Sequence, residues 1–461
     1  MSYSRYHIHT RAAPNIPGHP SRFKVSVSRV GLAKLLISEI IHTRGDIRVV
    51  TSRPCMYGVF SGPIGGFAPQ SQHCVGCLRC TVQYPDMVEV RPNPDRLQLG
   101  DSFFTPDMVD TVIYEASTGR VPVRGAGYGG QFGGTNWDGM WTDMSEIVRP
   151  TRDGIHGREF ISTAVDIGAK PLLLHFNQDG QLASEGVRTV TLPIPYLLEL
   201  PLKDRLLAES LQSAASELGT RLVIPISTAL EFGMTGDALT PILKPEDLHL
   251  LSELDKLPDI IELTAWHPGF AAELRENYPG MVVGVRIPFG EADLIKSIRN
   301  GIDFIHLSAD YHGQTNNGFV LDAIRKAHTA LVEAGLRERI SLIGSGGIAA
   351  AEHVPKAIIC GLDAVALDTP LLIALQAQFL GDYRHPDPGS ISMLRLKQDW
   401  ARQRVVNLVG SWRDQLLEIL GAMGLREVRR LRGEIGRAMF QVELEREAFA
   451  GIQGFEEDIH D

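Results

Sequence analysis

From residue 170 onward the chain alternates short β-branched or leucine-rich runs with longer stretches whose apolar residues recur at three- and four-residue spacing. That alternation is the pattern of a parallel sheet built from βα units. The strand-like runs are Pro171–Phe176, Arg188–Ile194, Arg221–Ile226, Asp259–Thr264, Met281–Ile287, Ile302–Ser308, Ile340–Gly344 and Leu362–Leu367. Helical spacing fills Lys203–Leu218, Lys244–Lys256, Glu291–Asn300, Gly318–Gly335, Ala350–Cys360 and Pro370–Phe379. Eight runs predict an α/β fold, a (β/α)8 barrel of the TIM type, with an open doubly wound sheet as the competing architecture. Only Asn177–Val187 joins the first two runs, too little for a helix and its turns. The barrel is therefore irregular there, or its first strand lies earlier.

The first 168 residues lack this rhythm. Val30–Ile41 has the apolar spacing of a short helix, and the rest is loop-rich, with glycine-dense stretches at Gly62–Gly66 and Gly125–Gly134. Past Gly381 a proline-rich link, Tyr383–Pro388, leads to helical spacing over Met393–Leu420 and Leu425–Phe449, expected to pack on the barrel's outside or on a partner subunit. The domains expected are 1–168, a ferredoxin-like N-terminal region; 169–381, the barrel; and 382–461, a helical C-terminal extension.

Composition narrows the class. The chain has 461 residues, 44% of them apolar and 22% charged, as in soluble globular proteins. No apolar run approaches the roughly 20 residues that span a bilayer. Net charge is −10, with basic residues dispersed apart from a short run at Arg426–Arg432, which argues against nucleic acid as a partner. The first 38 residues contain no Asp or Glu, as transit peptides do, but prolines up to Pro20 break any amphipathic helix there. A cytoplasmic location is expected.

Five cysteines, an odd number, do not make a secreted disulfide framework. Cys74, Cys77 and Cys80 stand in C-x2-C-x2-C, which places three thiolates on one loop as ferredoxin-type iron–sulfur clusters require. Where two-cluster ferredoxins carry a fourth cysteine before proline, this chain has Tyr84 before Pro85. The cluster is then 4Fe-4S with Cys55 as a remote ligand, or 3Fe-4S; zinc is the competing metal, although it more often takes two separated pairs of ligands. Cys360 reads as core.

At the end of the seventh run stand Gly344, Ser345, Gly346 and Gly347, and loops after strands seven and eight commonly form a barrel's phosphate site. A tight strand-to-helix turn would need the same small residues. His267, after the fourth run, is expected at the same face.

Residues 302–380, with that glycine cluster, Gly361–Val365 and Leu371–Leu375, resemble the end of the FMN-binding barrel of glutamate synthase. Val406–Arg413 and the stretch through Gly433 are similar to the helical segment that follows it, and Arg149–Gly168 resembles a block of the divergent stand-alone members. The resemblance implies FMN with its phosphate on Ser345, Gly346 and Gly347 near Thr369. It also implies a cation beside the flavin ring, which here would be Arg286 in place of the family's lysine. Arginine is a planar fork where lysine is a mobile point charge. Where the family carries His-Asp-Gly-Gly-Thr-Gly, this chain has Asp310–Thr315, and Asp310, His312 and Gln314 are candidates for proton transfer or for hydrogen bonds to the flavin.

The activity implied is reductive amination of a small-molecule 2-oxo acid, 2-oxoglutarate to glutamate or a close variant. The chain begins Met1, Ser2, Tyr3, without the amidotransferase cysteine, and has no cysteine after Cys360 for the family's own three-iron cluster. An electron-donor protein and a glutaminase or amidotransferase subunit are expected as partners in an oligomer. A barrel that relays electrons without catalysis, or a flavin enzyme acting on an unrelated substrate, is the alternative.

Overall fold

In the computed structural model, residues 6–16, 18, 20–46, 55–61, 65–122, 133–142, 160–181, 187–236, 238–266, 268–290, 294–299 and 301–452 are described. They fall into two compact units, one over Asn15–Asp107 and the other taking in almost all the rest.

The larger unit is a closed barrel of eight parallel strands: β1 (Tyr196–Glu199), β2 (Leu222–Pro225), β3 (Leu239–Leu243), β4 (Ile260–Leu263), β5 (Val282–Pro288), β6 (Phe304–Ser308), β7 (Ser341–Ser345) and β8 (Ala364–Leu367). Each strand pairs with its neighbour in sequence, and β8 returns to β1, with Val365 opposite Tyr196. Strands of four or five residues suffice, because closure removes both sheet edges.

Six of the eight expected runs are barrel strands, and two are not. Pro171–Phe176 forms no strand; Leu172, Leu173, Leu174 and Phe176 are exposed. Arg188–Leu192 is a strand, but it pairs antiparallel with Val165–Ala169 outside the barrel. The strands actually used are β1, hidden directly behind Pro193 and Pro195, and β3, which contains Pro241. Proline argues against an interior strand, so β3 reads as a turn.

Helix α1 (Arg205–Leu218) follows β1, with Asp204 accepting the Leu207 N–H as N-cap and Gly219 in the left-handed conformation ending it. Further along come α2 (Val320–Glu333), α3 (His353–Cys360) and the short α4 (Thr369–Ala374). The expected helix at Lys244–Lys256 is a 3-10 helix over Pro245–Glu253.

The tail helix α5 (Gln398–Ala422) packs on α1, so the C-terminal extension lies against the barrel's outside. Its Arg404 is fully buried and donates to the carbonyls of Ala374, Ala13 and Ile113. The stretch expected to be a second tail helix starts as turns and a strand, Ala438–Phe440, paired with Met140–Thr142; helix resumes only at Gln441–Phe449. Cys360 is buried with its sulfur 3.7 Å from that of Met140, as expected of a core residue.

In the smaller unit Phe23–Val27 pairs antiparallel with Val88–Pro92, beside a helix at Arg29–His42 and a short one at Arg79–Gln83. Val25, Val59 and Val88 form its core, and Cys55, Cys74 and Cys80 pack against them. Among the described residues no helix is long and apolar enough to cross a membrane.

Candidate functional site

Two strand positions apart on one face of β5, Gly284 and Arg286 both point into the barrel. A side chain at Gly284 would strike the Phe304 ring at 2.3 Å, so that ring fills the layer beneath Arg286. Above it the guanidinium meets three strands. Its Nη2 donates to Glu199 Oε1 at 2.5 Å and to Ser345 Oγ at 3.2 Å, and its Nη1 lies 3.5 Å from Glu262 Oε2.

Glu262 Oε1 in turn sits 2.7 Å from His306 Nδ1, both fully buried. Burial acts to lower the Arg286 pKa, but Glu199 and then Glu262 more than offset it, and the group is held charged. Glu262 is kept below the usual carboxylate range: burial raises it, and His306 and Arg286 outweigh burial. Several polar atoms here are buried without a hydrogen-bond partner: Arg286 Nη1, Glu199 Oε2, Glu262 Oε2 and His306 Nε2. Such orphans are costly in a folded interior and mark a place where a ligand can contribute the missing partners.

The glycine cluster leaves the end of β7. Gly346 and Gly347 have φ of +91° and +73°; a Cβ on Gly346 would lie 2.3 Å from the Asp310 carbonyl, and one on Gly347 2.7 Å from Gly313 Cα. The close approach of the loop after β6 thus requires glycine here. Gly347 N–H donates to the Tyr311 carbonyl at 3.2 Å, and its own carbonyl accepts from Trp137 Nε1 at 2.7 Å. Trp137 stacks on His353, whose Nδ1 accepts the Ala349 N–H at 3.0 Å. Burial, then Lys356, pushes His353 down to about 3, so it serves as a neutral acceptor. Thr369 is fully buried, its Oγ1 without a partner.

The candidates after β6 are divided by the fold. Asp310 Oδ1 accepts the Gln314 N–H at 2.7 Å, which closes the turn, and His312 is buried at 2% exposure. Gln314 begins a two-residue strand paired with Gly318–Phe319. The side chain of this loop that reaches the mouth is Tyr311, a residue not singled out from the sequence. Its hydroxyl and that of Tyr383 both donate to the Pro201 carbonyl, at 3.2 and 2.9 Å, with the rings 5.1 Å apart. Also missed were Glu199, Glu262, His306 and Asp368. His267, Arg149–Glu159 and most of Gly125–Gly134 lie outside the described residues.

In the smaller unit, Cys55, Cys74, Cys77 and Cys80 line one cavity, together with Val25, Val59, Phe60 and Val90. The loop is folded tightly, with Gly76 and Leu78 both at positive φ and Phe23 against Gly76. Burial pushes the Cys74 and Cys80 thiols up. Among the described residues no group of three or more His, Cys, Asp or Glu side chains is arranged to hold a metal ion.

Residues 316–426 match the family model described as the conserved region in glutamate synthase. That segment contains β7, the glycine cluster, β8, Asp368 and α5. Over its length the chain is similar to proteins named glutamate synthase. The Archaeoglobus fulgidus protein named archaeal glutamate synthase [NADPH] is 21% identical over 83% of this chain and 90% of its own length. The Dehalococcoides mccartyi archaeal-type glutamate synthase [NADPH] is 21% identical over 79% of this chain and 86% of its own. Identity rises to 28% against the Methanocaldococcus jannaschii protein, but there the match spans 48% of this chain and only 44% of that one. Among solved structures, a flavocytochrome b2 variant with sulfite bound aligns at a TM-score of 0.40, with 12% identity, over 65% of this chain and 80% of that one. The matched segment 316–426 holds the glycine cluster and Thr369, whereas Glu199, Glu262, Arg286 and His306 precede it.

Proposed function

We propose that this relative of glutamate synthase is an FMN- and iron–sulfur-dependent oxidoreductase that reductively aminates a 2-oxo acid, 2-oxoglutarate or a close variant. The observation that carries the reading is Arg286 at the barrel mouth, held charged, its Nη1 paired with Glu262 Oε2 only at 3.5 Å, beside the glycine cradle at the end of β7. FMN when bound supplies the hydride, as such cofactors carry the hard step. The chain's own residues would do the rest. Arg286 would hold negative charge on the ring or on a substrate carboxylate, with Glu199 and Glu262 fixing the guanidinium fork. Ser345, Gly346, Gly347 and Thr369 would receive the phosphate. Tyr311 and Tyr383, joined through Pro201, would exclude water from the mouth.

Four thiols lining one cavity support Cys55, Cys74, Cys77 and Cys80 as ligands of a four-cysteine cluster that would pass single electrons to the flavin. On this reading the electrons come from a donor protein and the ammonia from a glutaminase or amidotransferase subunit, in an oligomer within the reducing cytoplasm. Flavin bands in the near-ultraviolet and blue are expected after purification or reconstitution; a spectrum without them sinks the flavin. Iron and acid-labile sulfide should be present in the protein and fall in Cys74→Ser, and equal contents in the two would remove the cluster.

A second reading, an electron-relay barrel without catalysis, is favoured by Asp310, whose carboxylate is taken up in closing its own turn. Turnover of no 2-oxo acid with ammonia or an amine by flavin-loaded protein would select it.

A further inference from the structure

The phosphate end of the mouth holds a residue that opposes an anion. Ser345 of β7 and Ala366 of β8 are register partners, so Gly346–Gly347 and Asp368–Thr369 leave the barrel side by side. Asp368 is 1% exposed, and its Oδ1 accepts the N–H of Thr369. Beside that filled cap, Thr369 Oγ1 is buried without any partner. An incoming phosphate oxygen seeking the Thr369 N–H and hydroxyl would meet a carboxylate already in place. The nearby Gly347 and Ala349 N–H groups are likewise engaged, with Tyr311 and His353.

We infer that Asp368 is a built-in competitor for the phosphate of FMN: its carboxylate stands where the phosphate would be received, so FMN enters only when Asp368 is uncharged or turned away. This rests on the FMN reading above. Two anions sharing one dry site cannot both stay ionised. The charged and titratable groups facing Asp368 are Glu199 from β1, Arg286 from β5, Tyr311 from the loop after β6 and Tyr383 from the segment after β8. Burial, then Glu199, pushes Asp368 up to about 8, against the pull of the Thr369 N–H and Arg286. Around neutral pH it is therefore mostly protonated and able to donate to a phosphate oxygen; at higher pH it is an anion. Tyr311 and Tyr383 are pushed above their ordinary range, and Arg286 is held charged, so none of the three changes charge in that window.

The test is the dissociation constant of FMN for the full chain, read from quenching of flavin fluorescence between about pH 7 and about 9.5, with riboflavin as the phosphate-free probe. Asp368→Asn keeps a side chain able to cap Thr369 and removes the charge. In the unaltered protein FMN affinity should fall roughly tenfold or more across the window. Riboflavin affinity should stay level, and FMN binding to Asp368→Asn should stay level too. A flat FMN profile in the unaltered protein, an equal fall with riboflavin, or the same slope in Asp368→Asn overturns the role of Asp368 while leaving the flavin in place. Failure of both flavins to bind either protein at any pH overturns the flavin and this inference together.

Discussion

The two ends of the barrel treat buried charge in opposite ways. At the ends where strands begin, two aspartates have both carboxylate oxygens matched. Asp303, just before β6 and fully buried, accepts from Arg188 on Oδ1 at 2.8 Å, and from Arg275 at 2.6 Å and the Val283 N–H at 2.9 Å on Oδ2. Asp363, just before β8, is held by Arg337 at 2.8 Å, Arg432 at 2.9 Å and the Leu342 N–H at 2.7 Å. Where strands end, Glu199 Oε2, His306 Nε2 and Thr369 Oγ1 are buried without a hydrogen-bond partner, and Arg286 Nη1 and Glu262 Oε2 meet only at 3.5 Å. The first set closes the barrel, and the second leaves hydrogen-bonding capacity unused at the mouth. Barrels generally divide stability and chemistry between these two faces.

The largest effect that follows is at the closing end. Asp303→Ala would leave Arg188 and Arg275 without their shared carboxylate and should cost ~3–5 kcal/mol, as when one partner of a buried ion pair is removed. Urea unfolding measures it. A loss under ~1 kcal/mol would erase the contrast between the two ends.

Asp368 gives the mouth's counterpart, and its sign is the reverse. A carboxyl raised from 3.8 to about 8 binds its proton more tightly in the folded than in the unfolded chain. Stability therefore falls as pH rises from the ordinary carboxylate range through about 8, and the loss is complete above it. Asp368→Asn should escape this loss, gaining stability at alkaline pH and changing little near pH 4. Thermal melts of both proteins across pH decide it, and parallel profiles would show that the mouth does not strain Asp368.

Much of this was legible in the sequence, for reasons that also explain the gaps. Long runs such as Met281–Ile287 and Ile302–Ser308 carry strand composition in themselves, and the glycines at 346 and 347 advertise a backbone that only glycine adopts. β1 and β3 did not show, since four residues behind two prolines and five residues around Pro241 carry too little pattern of their own. Barrel closure supplies what their composition lacks. The exposed leucines at 172–174 look like a strand because composition does not record whether a neighbour exists to cover them. Glu199, Glu262, His306 and Asp368 were invisible for a related reason: a single polar residue in an apolar strand acquires meaning only when eight strands bring it to a common axis.

Gly346→Ala probes the boundary between the two ends. It adds a Cβ 2.3 Å from the Asp310 carbonyl at a φ of +91°. Left-handed strain and the clash together should cost ~2 kcal/mol. Melting temperature and flavin binding should fall together, because the strand end and the cradle are one piece of backbone. Weaker binding at unchanged melting temperature would show that the loop after β6 yields freely.

The smallest effect sharpens the comparison most. Trp137, 1% exposed, lies outside the barrel strands yet donates to the Gly347 carbonyl and rests against His353 and Phe319. Trp137→Phe keeps an aromatic ring in that stack but removes the indole N–H together with part of the ring volume. The Gly347 carbonyl then loses its donor, worth ~1 kcal/mol. If the mouth is held by local bonds separable from the closing end, amide exchange should quicken over residues 344–350 and remain unchanged around Asp303 and Asp363. A global loss of protection as large as that in Asp303→Ala would instead make Trp137 part of what closes the barrel, and the two ends would be one cooperative structure.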